Sequence, residues 1–158
     1  RNTELSDTVR AVTVADEKGV RTLDREACGF GYRRSALLEG RLTVVEAVFD
    51  LESGDAETLR ETARGIREAK RRAQPLQNAS AGCMFRNPPG DAAGRLIEAA
   101  GLKGLSVGRA GVSPLHANFL VTLGGATADE LRCLIDRVRD GVRRAHGIDL
   151  ELEVRQWP

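Results

Sequence analysis

The sequence predicts an α+β fold, on three observations. Val9 to Val14 and Ile148 to Arg155 alternate apolar and polar residues, the period of a half-buried strand. Leu131, Leu134, Ile135, Val138 and Val142 recur at helical spacing and mark one buried helix face. The second half runs loop, helix, two strands, helix, strand, which is a compact α+β unit. With 158 residues the chain can bury a core without disulfides or a structural metal.

The elements follow in order. Val9 to Val14 is a strand, Asp16-Glu17-Lys18-Gly19 a turn in which glycine supplies a positive φ, and Val20 to Leu23 the returning strand of a hairpin. Gly29 to Ser35 (GFGYRRS) is too rich in glycine for a regular element and reads as a loop with a short helical turn. Leu42 to Leu51 is β-branched and apolar, hence a strand. Asp55 to Arg72 is helical by composition, with sparse apolar positions that suit a surface or connecting helix, and Gln74-Pro75 ends it. Pro75 to Gly90 holds three prolines, two glycines and two asparagines, a long irregular segment of the kind that often carries function.

Asp91 is expected to cap a helix over Ala92 to Ala100, with Gly101 as its C-terminal glycine. Leu105 to Val112 and Ala117 to Leu123 read as two strands. Thr127 and Glu130 have the spacing of a capping box at the start of the last helix, and Gly147 closes it.

Composition excludes several functions. Lys plus Arg is 24 and Asp plus Glu is 23, a net charge of +1, without the positive surplus of a dedicated nucleic-acid binder. No apolar run approaches the roughly 20 residues of a membrane span. Cys28, Cys83 and Cys133 lie far apart and form no CxxC or Cys/His cluster, so neither a disulfide scaffold nor a metal site is expected. The expected setting is reducing and cytoplasmic. Only Lys18, Lys70 and Lys103 are lysines; coding bias accounts for such a skew, or some arginines hold carboxylate or phosphate bidentately. The chain opens on Arg1-Asn2-Thr3 with no initiator Met and reads as a piece of a longer protein.

Several residues can carry chemistry. A lone cysteine is usually a buried inert thiol, but Cys83 follows a glycine and precedes Asn87-Pro88, a loop suited to presenting one small side chain. An ordinary thiol, with a pKa of about 8.5, is mostly protonated at neutral pH and can donate a proton as well as attack. Cys133, in a helix, is expected to pack. Arg33 beside Tyr32 is either a solvated arginine or a carboxylate clamp. Glu153 on the last strand faces solvent unless its face turns toward a cleft. His146 suits a helix C-terminus, and His116 is structural or ligand-facing. The basic run Arg67 to Arg72 is a solvated face or a phosphate grip.

Six stretches together resemble one family. They are FGYRRS (Phe30–Ser35), QPLQNASAGCMFRNPPG (Gln74–Gly90), GRLIEAAGLKG (Gly94–Gly104), GRAGVS (Gly108–Ser113), HANFLV (His116–Val121) and LELEVR (Leu150–Arg155). In this order they resemble the C-terminal part of the UDP-N-acetylenolpyruvoylglucosamine reductase (MurB) family, flavoenzymes of bacterial cell-wall synthesis. The stretch between Leu51 and Gln74 resembles the compact subtype, which lacks an extra tyrosine-bearing loop.

The resemblance implies a division of the chain. Residues 1–72 become the C-terminal remainder of the FAD-binding domain (hairpin, strand, helix), and residues 73–158 a compact α-β-β-α-β substrate-binding domain. It implies NADPH as hydride donor, FAD as cofactor and UDP-N-acetylglucosamine enolpyruvate as substrate. It also implies Arg33, Cys83 and Glu153 as catalytic residues, with Cys83 where the family carries a serine proton donor. Tyr32, Asn87, Lys70 and Arg71 match substrate-lining positions. The family's flavin diphosphate loops fall upstream of Arg1, so the 158-residue chain is expected neither to hold FAD tightly nor to turn over. A monomer is favoured. The alternative class is a stand-alone nucleotide-sugar binding module without redox activity.

Overall fold

Val12 and Val14 are buried by simple alternation on a central strand, and Val9, three residues before Val12, is buried with them. The odd spacing is absorbed by a bulge. In the computed structural model, which describes residues 4–39 and 41–155, strand β1 (Val9–Asp16) pairs with strand β3 (Thr43–Phe49) with a register shift between Val9 and Ala11. One extra residue returns Val9 to the inner face. Strand β2 (Gly19–Asp24) pairs antiparallel with the other edge of β1, giving the order β2-β1-β3. The hairpin turn is built as expected: Gly19 has a φ of 111°, and Asp16 accepts the Lys18 N–H at 2.8 Å and Arg21 at 2.7 Å. Short helix α1 (Leu5–Thr8) precedes β1 in the chain, and short helix α2 (Ala36–Glu39) lies between β2 and β3. Cys28 completes this small core with Leu23, Phe30, Leu37 and Leu42 packed around it.

The backbone divides into two units, Arg1–Ala56 and Glu57–Pro158. Helix α3 (Ala56–Ala73) falls almost wholly in the second unit and buries no residue, as its sparse apolar positions predict. The larger core lies further on. Helix α4 (Ala93–Ala99) and helix α5 (Ala128–His146) pack with a three-stranded antiparallel sheet of β4 (Ser106–Val107), β5 (Ala110–Val112) and β6 (Leu120–Thr122). Leu134, Ile135, Val138 and Val142 of α5 are buried, and Leu131 is half-buried beside them. The capping box is formed in both directions: Thr127 Oγ1 accepts the Glu130 N–H, and Glu130 accepts the Thr127 N–H. Gly147 closes the helix with a φ of 68°.

Helix α4 ends in a Schellman motif. The Gly101 N–H bonds to the Glu98 carbonyl and the Leu102 N–H to the Ile97 carbonyl. That turn delivers Leu102 against Gly141 of α5, where any side chain would collide with it. The α+β class is therefore borne out.

Five local expectations are corrected. Leu105 to Val112 is a tight hairpin and not one strand, because Gly108, with a φ of 55°, turns β4 into β5. Ala117 to Leu123 is a strand only at Leu120–Thr122, because the Asn118 side chain binds backbone and holds its surroundings in a turn. Ile148 to Arg155 is extended but too sparsely paired to be a strand: its single bridge joins Leu152 to Phe85. The N-cap of α4 is Ala92, one residue after Asp91, whose carboxylate instead accepts the Ala92 N–H at 2.7 Å and binds Arg95. Cys133 is exposed, since it lies off the buried stripe of α5.

Candidate functional site

The irregular segment predicted between Pro75 and Gly90 is held by isolated bridges. Ala79 pairs with Thr122, Cys83 with Phe119 and Phe85 with Leu152. Residues 83–85 thus lie between the edge of β6 and the extended C-terminal segment. Gly82 precedes them with a φ of 87°, and a Cβ there would meet nothing, so the glycine serves backbone conformation and not space. The next two residues, Met84 and Phe85, are fully buried and anchor the segment in the core. Cys83 itself is half-buried.

Four hydrogen bonds fix this strip of chain. The Met84 N–H donates to the Asn118 carbonyl at 2.7 Å. The Phe85 N–H donates to Asn118 Oδ1 at 2.9 Å, and Asn118 Nδ2 donates to the Phe85 carbonyl at 2.7 Å. On the other side, the Glu153 N–H donates to the Met84 carbonyl at 2.9 Å. Arg86 continues the pairing through its N–H to the Glu151 carbonyl and its guanidinium to the Glu151 carboxylate. The backbone of Glu153 is therefore bonded to the residue next to Cys83, and these two candidates belong to adjoining extended segments.

Cys83 and Asn87 line one cleft of about 390 Å³, together with His116, Asn118 and residues of α4. Asn87 Oδ1 accepts the Ala93 N–H at 3.0 Å, so this side chain also caps the first turn of α4. The Asp91 carboxyl nearby is held down at about 2, first by the hydrogen bond from Arg95 and then by that from the Ala92 N–H. Arg71 lines a different cleft of about 800 Å³, beside Gln74 to Asn78 and Ser113 to Leu115. Lys70, its neighbour at the exposed end of α3, contributes its carbonyl to the Gln74 N–H.

Tyr32 and Arg33 belong to the first unit. Gly31 and Arg34 exchange backbone hydrogen bonds at 3.0 and 3.1 Å, which makes Tyr32 and Arg33 the two central residues of a tight turn. Arg33 has a φ of 56°, the single positive φ outside glycine among the described residues. Both side chains are exposed, and the guanidinium carbon sits 5.3 Å from the centre of the Tyr32 ring, a cation–π contact. Among the described residues no group of three His, Cys, Asp or Glu could hold a metal, and no helix is long and apolar enough to cross a membrane.

Asn118 is the residue of this cleft that sequence reasoning missed. Its signal was present in HANFLV: a primary amide inside an apolar run, here 2% exposed. His116 belongs with it, because Nδ1 accepts the Asn118 N–H at 3.2 Å. Ser113, 1% exposed, accepts from the Leu115 and His116 N–H groups and shapes the turn that delivers them.

Comparison with known proteins places the chain's fold and sequence among relatives. The model of the UDP-N-acetylenolpyruvoylglucosamine reductase C-terminal domain matches residues 74–157. The UDP-N-acetylenolpyruvoylglucosamine reductase of Alkalilimnicola ehrlichii is 47% identical over 147 residues, covering 92% of this chain and 49% of that protein. Reductase 2 of Symbiobacterium thermophilum is 50% identical over 129 residues, covering 82% of this chain and 42% of that protein. The crystal structure of UDP-N-acetylenolpyruvylglucosamine reductase (MurB) from Thermus caldophilus superimposes with a TM-score of 0.87 at 39% identity, over 100% of this chain and 56% of that one. The chain spans about half the length of the curated relatives it matches. With the C-terminal domain model covering more than half of its length, the chain belongs to the UDP-N-acetylenolpyruvoylglucosamine reductase (MurB) family.

Proposed function

We propose that this chain is the substrate-side part of an FAD- and NADPH-dependent, cytoplasmic reductase. Its substrate is UDP-N-acetylglucosamine enolpyruvate, in peptidoglycan precursor synthesis. Residues 1–72 then form the end of the flavin domain and residues 73–158 the substrate domain. Among the described residues none forms a glycine-rich strand-to-helix turn of the kind that cradles a diphosphate, so no residue here is assigned to the flavin.

A reduced flavin supplies the hydride in this chemistry; the chain's own groups manage the charge and the proton. Hydride addition at the far carbon of an enolpyruvyl double bond leaves negative charge on the carbon beside the carboxylate. A guanidinium at Arg33 matches that carboxylate bidentately and gains strength as charge grows. Glu153, in its carboxylic acid form, donates a hydrogen bond to the enolate-like species. The Cys83 thiol gives its proton to the remaining carbon, and the thiolate is reprotonated from solvent. Tyr32, Asn87, Lys70 and Arg71 bind the rest of the substrate, the two cations at its diphosphate.

The observation that supports this reading best is the hydrogen bond from the Glu153 N–H to the Met84 carbonyl. It joins the proposed donor segment and the proposed glutamate segment into one sheet-like strip at the cleft. The test is Cys83→Ala in the full-length protein. Flavin reduction by NADPH should continue while product formation stops, and Cys83→Ser should restore it. Full turnover by Cys83→Ala would remove the thiol from the mechanism. Binding of the nucleotide sugar with no reduction in the unaltered full-length protein would favour a binding module instead.

A further inference from the structure

A side-chain amide that bonds both the N–H and the C=O of a single residue imitates a neighbouring β-strand. Asn118 does this to Phe85, while its own carbonyl takes the Met84 N–H. Three of its bonds therefore land on the two residues that follow Cys83, and none of the three lies more than 2.9 Å long. Asparagine is the residue this arrangement selects. Aspartate lacks the donor that meets the Phe85 carbonyl, and glutamine is one methylene too long for an amide already at contact distance. Asn118 is 2% exposed, so water does not compete for these bonds. Its own N–H is held in turn by His116 Nδ1, which ties the clamp to the wall of the cleft that Cys83 lines.

We propose that Asn118 is a positioning residue: it sets the height and direction from which Cys83 meets the substrate. This rests on the reading of Cys83 as proton donor. Met84 and Phe85 are locked in the core, so a shift of their backbone moves Cys83 directly. A misplacement of about 1 Å in a reacting group costs on the order of a hundredfold in rate.

The experiment uses the full-length protein with Asn118→Asp, and measures the two half-reactions separately. Flavin reduction by NADPH should stay within about twofold of the unaltered protein. Product formation should fall on the order of a hundredfold with KM for the nucleotide sugar unchanged. Equal losses in both half-reactions, or a loss in neither, overturn the proposal. If Asn118→Asp does not fold, His116→Ala decides, because it removes the acceptor behind the clamp, together with an edge contact to Phe119, and leaves the Asn118 amide in place. A several-fold loss confined to the kcat of product formation supports the proposal, and any other pattern overturns it. Cys83→Ala run alongside separates the two ideas. If it turns over normally, the donor reading fails; if it is inactive while the clamp variants are normal, only the positioning role fails.

Discussion

Arg33 occupies a backbone conformation that glycine or asparagine usually takes. Its φ of 56° falls at the third position of the Gly31–Arg34 turn, where a positive value is demanded. For an ordinary side chain the left-handed region costs about 1–2 kcal/mol. Replacing Arg33 by glycine removes that cost but adds about 0.5–1 kcal/mol of unfolded-chain freedom. Replacing it by alanine keeps the full cost. Both variants lose the guanidinium over Tyr32, worth roughly 0.5–1 kcal/mol at an exposed site. That term cancels between them, and Arg33→Gly should be more stable than Arg33→Ala by about 0.5–1 kcal/mol. Equilibrium urea unfolding of the two full-length variants reads this difference, and NADPH-driven product formation is followed in parallel. Both should be inactive, because neither carries a carboxylate partner. Equal stabilities would show that the turn stores no strain, and activity in either variant would remove Arg33 from the site. The pair thus tests whether backbone stability is given up at this position for a particular side chain.

Other outcomes follow from the second unit and from the cysteines. Asp91 has its carboxyl held at about 2 by Arg95 and the Ala92 N–H, so it adds stability above its unfolded value of about 3.9 and loses it as pH falls through about 2. Unfolding midpoints of the parent and Asp91→Asn should therefore differ at pH 7 and converge near pH 2; a constant gap would contradict the pairing. A Cβ on Gly108 would overlap the Glu130 carboxylate that completes the capping box of α5. Gly108→Ala should cost about 2 kcal/mol, one part for its φ and one for the lost cap, and only about half of that in a Glu130→Ala background. Additive losses in that cycle would refute the coupling. Iodoacetamide followed by mass mapping should modify Cys133 first and Cys28 only on unfolding, since Cys28 is fully buried and burial pushes its thiol up. Early labelling of Cys28 would mean that the first core opens readily.

Local signals were legible because their causes are local. Thr127 with Glu130 announces a helix start, Gly147 and Gly101 announce helix ends, and each makes its hydrogen bonds within a few residues. The β4–β5 hairpin was not legible because Gly108 stands alone inside an apolar run, where a strand reading is equally good. The C-terminal stretch alternates correctly, but alternation cannot count partners, and its single bridge depends on where Phe85 lies. Cys133 is exposed although cysteine is usually buried, because it falls off the stripe of Leu131, Leu134 and Val138. The candidate catalytic side chains Arg33, Cys83 and Glu153 come from residue type and family pattern. Asn118 does not, since its value comes from reaching a segment 33 residues away.

The strip around Cys83 also has a history within each folding event. Its clamp spans 33 residues to Asn118, whereas the Arg86–Glu151 pairing on its other edge spans 65. Doubling a loop raises the closure cost by only about 0.6 kcal/mol, but that increment falls before any contact is gained. Ribosomal order acts in the same direction, since the segment holding Glu153 emerges after the one holding Asn118. The Asn118 clamp therefore closes the shorter loop at slightly lower entropic cost than the Arg86–Glu151 pairing on the other edge of the same strip.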